Sequence, residues 1–129
     1  MNKNVILAAL ALALAPAMSH AGQFLGAAVS INTSASTARG ALVATRISPN
    51  KLEYINCSVT TNSVSSGIAN AGFCTARDAL GNLASCSTTE YELLKAMQAI
   101  TPASDLRFSW DANGHCSQIF VRNASSNLE

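Results

Sequence analysis

The chain is poor in the side chains from which catalytic sites and large cores are built. Of its 129 residues two are histidine, 12% are charged and 5% are aromatic, with a single tryptophan. It has no G-x-S-x-G elbow, no H-E-x-x-H pair and no phosphate-cradling glycine motif, which excludes the sequence signatures of α/β-hydrolases, zincins and P-loop proteins. It also lacks a C-x2-C pair, the spacing that lets two thiolates take adjacent tetrahedral positions on zinc, so no metal and no cofactor is expected. An excess of one charge is missing too, with eight Lys and Arg against seven Asp and Glu. Phosphate neutralisation by surplus cations supplies most non-specific nucleic-acid affinity, so neither nucleic acid nor an anionic membrane is an expected partner.

The one long apolar run is Val5–Ala15, preceded by Lys3 and ended by Pro16. It is too short for a span, which needs about 20 apolar residues. With the small residues Ser19 and Ala21 at positions −3 and −1, residues 1–21 read as a signal peptide cleaved before Gly22. What remains, residues 22–129, is a single small exported domain, periplasmic or extracellular, with no stable membrane insertion. Loss of Lys3 leaves it with no net charge.

Cys57, Cys74, Cys86 and Cys116 all follow the leader. An even count in a small exported domain implies a disulfide framework, and in the chain-entropy model each bridge contributes roughly 3–4 kcal/mol. That would offset a core in which much of the apolar content is alanine. Of three connectivities, Cys57–Cys74 with Cys86–Cys116 is favoured. The reason is that Phe73–Asp78 and Asn82–Cys86 flank Ala79-Leu80-Gly81, a three-residue hairpin loop with Gly81 in the left-handed position. That register sets Cys74 directly opposite Cys86, an awkward geometry for a direct bridge.

A further edge strand is expected near Ala27–Asn32. Two β-prone runs, Ala41–Ile47 and Leu52–Thr60, surround Ser48-Pro49-Asn50-Lys51 and read as a hairpin, with Ile47 facing Leu52 and Arg46 facing Glu53. Thr61–Asn70 reads as a polar loop. Ser87-Thr88-Thr89-Glu90 has the form of a capping box. The apolar stripe Leu93, Met97 and Ile100, flanked by Tyr91 and Leu94, then continues one helix over about 88–100, stopped by Pro102. The last hairpin turns at Asn113-Gly114, the type I′ signal. Its register puts Leu106 opposite Val121 and Phe108 opposite Ile119 on an apolar face, Asp105 opposite Arg122 and Ser109 opposite Gln118 on a polar one, and Trp110 opposite Ser117 near the tip. The fold class is therefore α+β: a disulfide-stapled antiparallel sheet of five to six strands built from hairpins, with the helix on one face.

Few residues offer chemistry. His115 is the only histidine beyond the leader, and it follows a tight turn where a solvated side chain is the ordinary finding. Asp111 and Asp78 could form a glycosidase pair only at a defined separation that no spacing rule fixes. Asp111-Ala112-Asn113-Gly114 lacks the later oxygen ligands of a calcium loop. Asn32, Asn56 and Asn123 head N-x-S/T triplets, common by chance in a chain rich in these residues. The expected function is a non-enzymatic exported module that binds another macromolecule or a cell-surface component, with Phe108 and Trp110 as a candidate recognition surface. A small secreted hydrolase using His115, Asp111 and Asp78 stands second. An inhibitor or effector acting through loop 61–70 stands third.

Overall fold

A computed structural model describes residues 28–125; the leader expected over residues 1–21 lies outside them. Seven strands and two helices follow in the order β1 (Ser30–Asn32), β2 (Thr37–Ala41), α1 (Leu42–Ile47), β3 (Tyr54–Val64), β4 (Gly67–Arg77), β5 (Leu83–Thr88), α2 (Tyr91–Gln98), β6 (Ser104–Trp110) and β7 (Cys116–Asn123). The class is α+β, but the strands form two antiparallel sheets instead of one. Their orders are β1-β2-β6-β7 and β3-β4-β5.

The split follows from where apolar side chains fall. Ser104, Leu106 and Phe108 of β6 are buried and alternate with Asp105, Arg107 and Ser109, so the four-stranded sheet has one apolar face. Ile55, Cys74, Ala76, Ala84 and Cys86 give the three-stranded sheet another. One eight-residue helix cannot cover both, and the two faces cover each other: the core joins Ala38, Leu106 and Phe108 from the first sheet to Ile55, Cys74, Ala76, Ala84 and Cys86 from the second. Helix α2 adds Leu94 and Met97 at the margin. It packs so closely on β4 that a Cβ at Gly72 would lie 2.5 Å from Met97 Sδ.

Both disulfides join the favoured cysteines, Cys57–Cys74 and Cys86–Cys116. The expected reason is only half sufficient. Cys74 does lie opposite Cys86 in the β4–β5 register, but it also lies opposite Cys57 in the β3–β4 register, with the Cα atoms 4.0 Å apart. One directly opposed pair is bridged and the other is not. Cys86 instead reaches Cys116 on β7 and ties the two sheets together, beside a single bridge in which Ser87 N donates to Gly114 O.

Other expectations need correction. The hairpin expected across Ser48–Lys51 does not form, because residues 42–47 are helix α1 and β2 ends at Ala41. The helix buries Val43 and Ala44, and Thr45 Oγ1 donates to Ala41 O four residues back; tertiary packing overrides β-propensity. Ile47 and Leu52 are both exposed, and Glu53 accepts from Ser48 Oγ at 2.5 Å instead of meeting Arg46. The turn at Ser48–Lys51 survives as the link to β3, fastened by Leu52 N donating to Asn50 Oδ1. The polar loop expected at 61–70 is the far end of a β3–β4 ribbon, paired without interruption from Tyr54 opposite Arg77 to Val64 opposite Gly67.

The capping box is not made either. Ser87 and Thr88 are consumed by β5, where they pair with Phe73 and Gly72, so α2 begins three residues later behind Glu90. In the last hairpin the apolar and polar pairs from Asp105–Arg122 to Ser109–Gln118 fall as expected. A register shift then sets Trp110 opposite Cys116, not Ser117. Asp111 causes it: its Oδ1 accepts from Asn113 N and His115 N, and Gly114 alone takes a positive φ of 79°, so the turn has one more residue than a type I′ pair.

Candidate functional site

The β2–β6 pairing assembles the most distinctive surface of the molecule. β2 reads Thr-Ala-Arg-Gly-Ala, with Ala38 and Gly40 turned inward and Arg39 outward. A Cβ on Gly40 would lie 3.2 Å from Ile55 Cγ2 and 3.3 Å from Val29 Cγ2, so the absence of a side chain lets β2 sit close to both. The register then places Arg39 directly opposite Arg107, Arg107 opposite Phe120, and Ser30 opposite Arg39. One row of the outer face therefore reads Ser30, Arg39, Arg107, Phe120 across all four strands. The next reads Ala41, Asp105, Arg122.

Like charges directly opposite one another destabilise a cross-strand pair. The Arg107 guanidinium is partly accommodated by the Phe120 ring, 5.1 Å from its centroid, a favourable cation–π placement. Arg122 is accommodated by Asp105, whose Oδ2 accepts from Nε at 2.7 Å and from Nη2. Among the described residues neither Arg39 nor Arg107 has a carboxylate partner. Together with Asp105 and Phe120 the three arginines line an open cavity of about 290 Å³. Arginine presents planar, forked donors that match carboxylate and phosphate oxygens, so this surface can hold an anion in bidentate contact.

No protein-family model matches the chain, and comparison with curated proteins and with solved structures finds none similar to it.

The candidates for catalysis are placed as follows. His115 Nδ1 lies 3.5 Å from Asp111 Oδ2 at the tip of the last hairpin, both side chains largely exposed. Asp78 stands apart in the β4–β5 loop, where its carboxylate accepts from the Leu80 and Asn82 backbone and from Asn82 Nδ2. The Asn82 side-chain amide, aided by backbone N–H groups, holds the Asp78 carboxyl below its ordinary value. The His115 backbone N–H does the same for Asp111, with smaller help from Asn113 N–H and the imidazole. A general acid needs its proton held near the working pH. These two carboxyls are shifted the other way, and both fasten turns.

Phe108 is fully buried and packs in the core, so it presents no surface to a partner; Trp110 is half-buried beside it, ring centroids 5.9 Å apart. The only group of potential metal ligands among the described residues is the Sγ atoms of Cys74, Cys86 and Cys116, within 4.8 Å of one another, all committed to disulfides. The arginine row escapes sequence reading because Arg39 and Arg107 meet only through a pairing between distant strands. Its sequence signal is confined to the last hairpin, whose polar side carries Asp105, Arg107 and Arg122.

Proposed function

We propose that the chain is an exported, non-enzymatic binding module that holds an anionic group of a cell-surface polymer against the outer face of its four-stranded sheet. The observation that carries this reading is the directly opposed Arg39 and Arg107, exposed and without carboxylate partners. Such a pair costs stability in the free protein and is relieved when an anion sits between the guanidiniums. The Phe120 ring beside them offers an apolar flank for the carrier of the anion. Export is supported by the leader-like residues 1–21 and by two disulfides, which are typical of oxidising compartments.

The partner is a local anion, not a long polyanion read by its overall field, because residues 22–129 carry no net charge. Calorimetric titration with polygalacturonate, dextran sulfate and duplex DNA tests this. The expected result is binding to at least one of the two polysaccharides, weakened by added salt and weakened at least about tenfold by Arg39→Ala with Arg107→Ala. His115→Ala should leave it unchanged. Absence of binding to either polysaccharide, or tighter binding to DNA, overturns the reading.

A further inference from the structure

We infer that two copies of this chain associate through the β3–β4 ribbon, β3 pairing antiparallel with β3 of the second copy across a two-fold axis. From Tyr54 to Ala76 the sequence contains no Asp, Glu, Lys, Arg or Pro. Every residue from Thr60 to Asn70 is exposed, including Val64 at 45% and Ile68 at 74%. Beyond Gly72, where β5 stops covering β4, the ribbon is two strands wide and projects alone. A lone two-stranded ribbon is marginally stable in water and needs a further strand or a packed face.

The free edges of a sheet are ordinarily blunted by charge, proline, a bulge or shortness. Among the described residues the other free edges have such protection. β1 is three residues long, β7 carries Arg122, and β5 is six residues long and bridged at Ser87 to His115. β3 has none: it is eleven residues long, its register with β4 is uninterrupted, and among the described residues only β4 hydrogen-bonds to the backbone of residues 58–64. β4 offers a shorter edge, Gly67–Ala71, because β5 covers the rest. An uncharged strand meets no like-charge penalty against a copy of itself, and an antiparallel β3–β3 contact closes on itself as a two-fold pair. With the axis at Thr61, Thr60 of one copy lies opposite Asn62 of the other.

Sedimentation velocity on the full exported chain with its disulfides intact, from micromolar to millimolar, reads the association directly. The wild type should pass from monomer to dimer. Thr60→Lys with Asn62→Lys sets lysine against lysine and should raise the dimer dissociation constant at least about tenfold, while circular dichroism and the disulfide map stay as in the wild type. Arg39→Ala should associate as the wild type does, which separates this contact from the anion face. A monomer at every concentration, growth into open-ended fibres, or a double-lysine variant that dimerises normally overturns the inference. If the lysine variant loses its native disulfides, hydrogen exchange on the wild type decides: amides of residues 58–64 must gain protection as concentration rises, and unchanged exchange there overturns the inference as well.

Discussion

The four-stranded sheet gathers Arg39, Arg107 and Arg122 on one exposed face, whereas in the three-stranded sheet the β3–β4 hairpin carries no charged side chain between Tyr54 and Ala76. Their inward faces are alike: small apolar residues alternate toward a shared core, with Phe108 as its largest member. The difference lies entirely on the outside, where packing places no demand on side-chain identity. These outer faces are the ones proposed to meet an anion and a second copy of β3.

Breaking the shared interior should have the largest effect. Phe108→Ala is expected to cost about 3–5 kcal/mol, measured by urea unfolding, because the side chain has no accessible surface and both sheets close around it. Removing the inter-sheet tie by Cys86→Ser with Cys116→Ser should cost a similar 2–5 kcal/mol, roughly. If either change were silent, the two faces would not form one core.

Smaller effects sharpen the comparison. Gly72→Ala pushes a methyl into Met97 Sδ and Leu94 Cδ2, and the cost should be about 1–3 kcal/mol by thermal unfolding; Gly67→Ala, with nothing near its Cβ position but a φ of +128°, should be costly only through backbone strain. On the charged face the order reverses. Arg122→Ala should cost under about 1 kcal/mol, since the Arg122 side chain is itself 57% exposed. Arg39→Thr should leave stability unchanged or raise it by a few tenths of a kcal/mol, roughly, by removing a like-charge pair. A clear loss of stability in Arg39→Thr would show that Arg39 serves the fold and not a ligand.

The smallest expected effect is on pH. Asp78 and Asp111 both have folded-state pKa values below the ordinary 3.8. Their contribution is therefore complete above that value and is lost as the pH falls through it toward the lower folded-state values. Acid titration of Asp78→Asn and Asp111→Asn should show a shallower loss of stability below about pH 4 than the wild type does. An unchanged acid limb in both variants would mean that the turn hydrogen bonds contribute nothing in the folded state.

How much of this was legible in the chain depends on distance along it. The hairpin at Ala79–Gly81 and the pairs from Asp105–Arg122 to Ser109–Gln118 follow from a turn and two alternating flanks, all within a short stretch. Half of the proposed site was therefore within reach: Asp105, Arg107 and Arg122 share the polar side of one hairpin. Arg39 was not, because nothing local says that β2 pairs with β6. The Ala41–Ile47 run shows the same limit: its β-branched residues suit a strand, and only the packing of Val43 and Ala44 makes it a helix.

The hairpins at Ala79–Gly81 and Asn113–Gly114, the amphipathic stripe of α2 and the pool of four cysteines are legible in the chain, because turn chemistry and side-chain periodicity act between near neighbours. Tertiary structure alone decided that there are two sheets and that Arg39 faces Arg107. The ribbon over 61–70 is a local hairpin closed between Val64 and Gly67 whose turn signal reads as loop in the sequence, whereas the two sheets and the facing arginines turn on which distant strand comes alongside. Backbone hydrogen bonds, identical for every residue, do not encode that choice; burying both apolar faces at once does.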